Sequence, residues 1–470
     1  MKKTLYAILI LCLALIAVYV GASYWLGTEA RAQHDRLIAQ INCLNNLEAS
    51  TGSYQRSIFR SSALTAFTLT LPREAGSIRF NVISSIYHGP FVFLKNPHLK
   101  GGLQPVLAVI RTRLAPADDS ADALKKLLET IPELQNSEAL TILFIDGSAE
   151  SYLDVLSFKK KFPDNAGGSF EAECGGFAAK SRFDARPAQI TGSWSCPSLQ
   201  IEGQNQFILR MKDLEADFNS HPGLKDINVG SAALSIGSIE CSQKDKSPFG
   251  LISFRAKADS GVSGQTIGVA LHLSFDRFDV EGIALGPFIM ELEARKIDAG
   301  VVSRFHKLAR DLQEKSAGAQ RNEPAQKEMA KSAEALLFDL IAKSPEFEIK
   351  QLKLSTDKGD LSGRARLGFA GPMGNRAQNF LLLLTGIDAS AELSVSEPLG
   401  YFIAENLLHD DGQDTESNKM NADAIVKDLV AAKYLTSEGG SFKSSAACKR
   451  GSFTINGRKF DLSGLKHIGE

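Results

Sequence analysis

Few residues in this chain stand where side-chain chemistry needs them. His88 follows Tyr87 in the segment Tyr87-His88-Gly89-Pro90-Phe91, and an imidazole there could serve as a general base. Spacing fixes no nucleophile beside it, so a turn histidine is the stronger reading. His409-Asp410-Asp411, with Asp414 and Glu416, comes nearest to a metal cluster. It lacks the alternating oxygens and terminal glutamate of a calcium loop and reads as a solvated surface segment. His272 falls on the polar side of an alternating run, where exposure is the simplest expectation. The metalloprotease helix, the P-loop, the nucleophile elbow and the dinucleotide glycine motif are all missing. A non-enzymatic protein is expected, with no catalytic, cofactor-binding or metal residues assigned and no cofactor.

Six cysteines are present. Leu11 precedes Cys12 where lipid attachment needs a small residue, which argues against a lipoprotein. The remaining Cys43, Cys174, Cys196, Cys241 and Cys448 are odd in number and lack Cys-x-x-Cys or Cys/His spacing, so disulfide use in an oxidising compartment outweighs zinc. Cys174 and Cys196 flank a short β-like stretch and form the best candidate pair. Buried small apolar residues remain the alternative.

What would position such residues begins with a charge-free run over 4–26, which as a helix would reach about 34 Å, enough for a ~30 Å hydrocarbon core. Lys2 and Lys3 precede it and Glu29 follows, so the N-terminus is expected in the cytoplasm and the body outside. Tyr24 and Trp25 sit where interfacial aromatics belong. Small residues at Val20-Gly21-Ala22 permit the competing reading of a cleaved signal. Residues 1–27 are thus expected to be a transmembrane anchor and 28–50 an amphipathic stalk helix lifting the body off the bilayer.

Beyond 50 the period changes to two. Ile78, Phe80 and Val82 alternate with polar neighbours, as do Phe67, Leu69 and Leu71, the run Ile267 to Phe275, and the run Ile387 to Val395. These are half-buried antiparallel strands. Helical spacing returns after Ser120, ending before Pro132. It recurs at Val301, Phe305, Leu308 and Leu312, at Met329, Ala333, Leu336, Leu337 and Leu340, over 398–408, and over 421–435. A closing hairpin of 441–449 and 452–462 should turn at Arg450-Gly451. The two Gly-Pro steps, at 89–90 and 286–287, fit strands that end or bend. The fold class expected is α+β and β-dominated: one transmembrane helix, then a large, mainly antiparallel curved sheet with a few packing helices. Its body, 51–470, would carry a helical insertion at 300–343 and C-terminal helices plus the hairpin over 398–462.

The 470 residues carry 53 basic and 54 acidic side chains and are 44% apolar, which excludes disorder, collagen and coiled coil. A formal net charge of −1 excludes the basic footprint of a nucleic-acid binder. A sheet with one apolar face needs a cover: helices 301–314 and 326–343 packed into it, or lipid in a groove. Helix-on-sheet burial is the plainer expectation.

Taken in order, these segments resemble the YdgA-like family of bacterial domain-of-unknown-function proteins. The resemblance rests on the Lys-Lys start, on Gly-Ala-Ser-Tyr-Trp closing the apolar helix, on Tyr54 to Phe59 set against Tyr-x-Arg-Gly-x-Phe, and on His88-Gly89-Pro90-Phe91. Pro345 to Leu354 leads into β structure, and Gly451 to Gly457 is similar to that family's closing Gly-x-[IL]-x-[LIV]-Asn-Gly. Ser57 and Val92 depart from the pattern, where Gly and Pro are usual. The resemblance covers nearly the whole chain. It implies residence in the bacterial inner membrane as a single-pass protein with a periplasmic body, and it carries over no catalytic residues. The expected function is an envelope scaffold or a module binding lipid or another hydrophobic ligand. The alternative is an interaction protein supporting a flagellar, secretion or outer-membrane assembly, as a homo-oligomer or with an envelope partner.

Overall fold

The computed structural model describes residues 2–42, 47–70, 77–92, 98, 105–117, 125, 128–163, 168–185, 188–203, 207–224, 227–280, 282–316, 323–369, 386–407 and 415–459. Side chains at 2–17, 37, 40–41, 163, 185, 309–316, 323–330, 406–407 and 415–419 lie outside the description. The chain divides into two compact units, Met1–His221 and Pro222–Glu470.

The first unit opens with one continuous helix, α1 (Lys2–Ile41). A run of antiparallel strands follows: β1 (Leu47–Arg56), β2 (Arg60–Thr70), β3 (Ser77–His88), β4 (Val106–Pro116), β5 (Glu138–Phe144) and β6 (Ala149–Val155). β9 (Phe177–Ala185), β10 (Ala188–Glu202) and β11 (Ile208–Pro222) extend it, each paired with the one before and β9 with β6. The hairpin of β7 (Phe158–Pro163) and β8 (Ser169–Cys174) joins at the far half of β10. Pro132 opens a short helix, α2 (Pro132–Asn136), rather than only closing one, because the N–H that proline lacks would have no intrahelical partner at the first helical position. The helix expected after Ser120 falls mostly outside the described residues.

The expected stalk takes a different form. α1 stops at Ile41 and β1 starts at Leu47, so the last residues of 28–50 are strand. Leu26 and Ala30 bury against Ala63, Ile86, Leu107 and Ala108 of the sheet. A helix with small and aliphatic residues on one side gains more from sheet burial than from standing free in water.

The second unit is a second antiparallel run: β12 (Asn228–Ser242), β13 (Phe249–Ser263), β14 (Thr266–Phe275), β16 (Ile283–Asp298), β17 (Glu346–Thr356), β18 (Gly359–Phe369), β19 (Ile387–Ser396), β21 (Ser441–Lys449) and β22 (Ser452–Ile455). The short β15 (Arg277–Val280) fills in between β13 and β16, and β20 (Thr436–Glu438) borders β21. Strands dominate and every described pairing is antiparallel, as the alternation implies. Gly286-Pro287 bends β16 with a register shift instead of ending it. The closing hairpin turns at Arg450-Gly451, but its second strand breaks at Asn456-Gly457, both at positive φ, and returns as β23 (Arg458–Lys459).

Among the described residues four helices accompany this unit: α3 (Ala299–Ser316), α4 (Glu323–Ala342), α5 (Glu397–Leu407) and α6 (Thr415–Ala431). The first turn of α3 is seated, with Ala299 buried among Ile227, Val229 and Ile267 and Val302 packed against them. Among the described side chains beyond that turn, Phe305 and Leu337 are each 54% exposed. The periodicity that predicts these helices holds; the burial inferred from it does not hold at these two positions.

Candidate functional site

His88 ends β3, on the face turned to α1. Its Nδ1 lies 3.0 Å from the Ser23 carbonyl oxygen, and its Nε2 lies 3.1 Å from Ser61 Oγ. A carbonyl only accepts, so Nδ1 carries the proton and Nε2 accepts from the serine hydroxyl. That is a nucleophile–base pair in geometry, with a backbone carbonyl orienting the imidazole. The residue spacing held no sign of it, because Ser61 and Ser23 are 27 and 65 positions away. What the pair lacks is room. Ser61 is 1% exposed, His88 is 2%, and Gly27 of α1 lies on the ring. Burial pushes the imidazole below its ordinary 6.5, the Ser23 carbonyl opposes this, and Arg56 adds to the lowering.

Around it, the motifs of 54–60 and 88–91 grip the helix. The Arg56 guanidinium donates to the Tyr24 carbonyl at 2.6 Å and lies 4.0 Å from the Tyr24 ring centre. Tyr19 donates to the Phe91 carbonyl at 2.8 Å and stacks on Phe59 at 5.8 Å. Gly89, at φ +147, passes so close to Ser23 that a Cβ would stand 2.9 Å from its Oγ. These residues hold α1 to the sheet.

A polar cavity of about 530 Å³ in the first unit gathers Glu150, Tyr152, Lys180, Arg182 and His98. The Tyr152 phenol donates to Glu150 Oε2 at 2.6 Å, and Arg182 Nη1 lies 3.0 Å from Glu150 Oε1. His98 stacks on Tyr152 with centroids 4.1 Å apart. Burial, then Glu150, pushes the phenol up to about 12, so it stays protonated at neutral pH. Glu150 thus accepts from the phenol on one oxygen and from the guanidinium on the other.

An apolar feature lies in the second unit, where strand register aligns two rows of apolar residues. One row runs Val269, Ala294, Phe347, Leu367, Ala389, Cys448, Phe453 across β14, β16, β17, β18, β19, β21 and β22. The next runs Leu271, Leu292, Ile349, Ala365, Ala391, Ala446, Ile455. Together they line a groove of about 740 Å³. Alanines at 365, 391 and 446 form its floor. Phe347 and Leu367 stay 37% exposed along it, so it is open. Farther along the same face of β19 and β21, α5 and α6 place Leu399 and Val426 over Val395 and Phe442. The opposite face carries ion pairs such as Arg295–Glu348 at 2.7 Å, Arg364–Glu392 at 2.7 Å and His272–Glu291 at 3.5 Å. Seven strands at ~4.8 Å spacing give a trough of about 29 Å, nearly the thickness of a bilayer's hydrocarbon core.

Among the described residues no group of three or more His, Cys, Asp or Glu could hold a metal ion. His409, Asp410, Asp411 and Asp414 lie outside those residues. A family model described as bacterial protein of unknown function (DUF945) matches residues 1–463. The chain belongs to the DUF945 family. No curated protein and no solved structure matches it. Both the buried His88 junction and the groove fall inside the stretch matched to DUF945.

Proposed function

We propose that this chain is a non-enzymatic module of the bacterial envelope that holds lipid acyl chains in the groove of its second unit. The observation that carries the reading is the pair of aligned rows across β14 to β22. Contiguous open apolar surface on this scale marks a site of interaction, and a floor of alanines between aromatic and aliphatic walls suits a linear hydrocarbon chain better than a compact ring. With charge confined to the other face, the trough offers polar headgroups no partner along its length, so they would stay at its open end.

The membrane anchor over 4–26, and the single-pass orientation with the body in the periplasm, belong to the same proposal. Among the described residues no helix is long and apolar enough to cross a membrane, and the side chains of 2–17 are not among those residues. Two observations support the anchor. α1 runs unbroken through the whole apolar segment. Around its junction with the sheet, Val18, Tyr24, Trp25, Ile58, Phe59 and Phe91 are exposed together, the amphipathic collar that suits a bilayer interface. Since Ser23 and Leu26 are buried by protein, the body would rest directly on the membrane.

Extraction of the full chain in mild detergent, followed by mass spectrometry of bound lipid, tests the proposal. Stoichiometric phospholipid or fatty acid is expected. Lipid-free protein that also fails to take up a fluorescent fatty acid would refute it. A second reading, an interaction protein of an envelope assembly, is favoured by a patch on the first unit where Phe183, Ile190 and Phe218 are exposed on adjoining strands. Crosslinking in cells to one stable protein partner, with no lipid bound, would select it.

A further inference from the structure

The strands around Cys174 and Cys196 share a line of bending. β6 gives way to β7 after Val155, and β8 gives way to β9 after Cys174, while β10 runs through and changes partner. Up to Ser195, β10 pairs with β9; from Leu199 it pairs with β8. Gly175 and Gly176 make the break. A Cβ at Gly175 would stand 2.5 Å from Ser198 Oγ, and Gly176, at φ +104, lies where a Cβ would be 3.1 Å from the Val155 carbonyl oxygen. Gly175 N–H donates to the Ser198 carbonyl at 2.8 Å, bridging the gap between the two halves of the ladder.

Both cysteines sit on this line. Cys174 pairs with Leu199 of β10, three residues from Cys196. Cys174 Sγ lies 3.7 Å from the Gly176 carbonyl oxygen and Cys196 Sγ 3.6 Å from that of Ser198. Cys174 is buried and Cys196 is partly exposed. A pair of neighbouring thiols at a bend, one of them reachable from solvent, differs from two isolated core cysteines, which would be packed by apolar atoms only.

We propose that Cys174 and Cys196 are an oxidisable pair that closes into a disulfide and fixes the bend between β8, β9 and β10. The Cys196 thiolate attacks a disulfide oxidant and forms a mixed disulfide, releasing one thiolate of the oxidant. The Cys174 thiolate then attacks Cys196 Sγ, releasing the second. Two protons leave the protein, one S–S bond forms in it, and the two electrons reduce the oxidant to two thiols. Cys174 is buried and Cys196 only partly exposed, which suits a structural lock better than a rapidly cycling centre. The proposal is independent of the lipid reading, because it needs no ligand.

The full chain in detergent, equilibrated with reduced and oxidised glutathione, tests it. With alkylation in denaturant, free thiols are expected to fall from six to four, with a Cys174–Cys196 linked peptide on non-reducing digestion. Cys174→Ser and Cys196→Ser should each abolish that link while leaving far-ultraviolet circular dichroism unchanged. Six free thiols at an oxidising poise, glutathione adducts without closure, or linkage to a different cysteine would overturn it.

Discussion

The His88 imidazole lies flat against Gly27 of the first helix, so close that a Cβ at that position would stand 2.5 Å from Cε1 and 2.8 Å from Nδ1 of the ring. Helix and sheet meet here at backbone distance. The ring can neither move, because Ser61 and Ser23 hold both its nitrogens, nor be displaced into solvent. Gly27→Ala should therefore destabilise the full chain by about 1–3 kcal/mol through overpacking. Gly21→Ala, where a Cβ meets nothing within 4 Å, should be neutral or stabilising by up to about 1 kcal/mol. Denaturant titration of both variants makes the comparison, and equal effects would dissociate the glycine from the packing.

The same histidine sets a pH dependence. Its folded-state pKa lies below the unfolded 6.5, so the unfolded chain binds more protons in the interval between the two. Stability is complete above about 6.5 and declines as pH falls through that interval to the folded value. Unfolding midpoints measured from pH 8 to pH 5 should show this decline, and His88→Gln should flatten it. An unchanged slope in the variant would assign the effect to other groups.

Arg56 ties the 54–60 segment to the helix through a hydrogen bond and a stacked ring. Arg56→Ala is expected to cost about 1–3 kcal/mol, since a charged donor and a cation over an aromatic face are lost together. Arg56→Lys should recover less than half, because an ammonium lacks the planar fork that serves both partners. Thermal melts of the two variants decide it; full recovery by lysine would reduce the contact to charge alone.

Tyr152 offers a spectroscopic check on the first unit. Held up to about 12 by burial and Glu150, it should ionise late in an ultraviolet titration, and Tyr152→Phe should remove that late step. Because the folded value is raised above the ordinary 10, its contribution to stability is present below pH 10 and is lost as pH rises towards 12.

Much of the fold could be read from residue order. Alternation places β3, β14 and β19, and the 3.6-residue spacing places α3, α4 and α5, to within a few residues. The functional surfaces could not be read this way, because register creates them. Ala365, Ala391 and Ala446 are unremarkable in their own strands and become a groove floor only when paired side by side, and a shift of one residue would turn them to the charged face. Likewise His88 has a turn-like context in sequence, and only the approach of Ser23 on a distant helix and of Ser61 on the next strand gives the residue its partners. Phe305 and Leu337 show the converse: an apolar stripe predicts a helix but does not say what covers it.

The groove's floor gives the most direct test of the central claim. Full chain and the Ala391→Trp variant, with Arg364→Gln on the opposite face as control, should be compared for stoichiometric uptake of a fluorescent fatty acid. An indole on the alanine floor is expected to lower affinity at least tenfold while the control binds as the parent does. Equal binding by all three proteins, or none by the parent, would contradict the account.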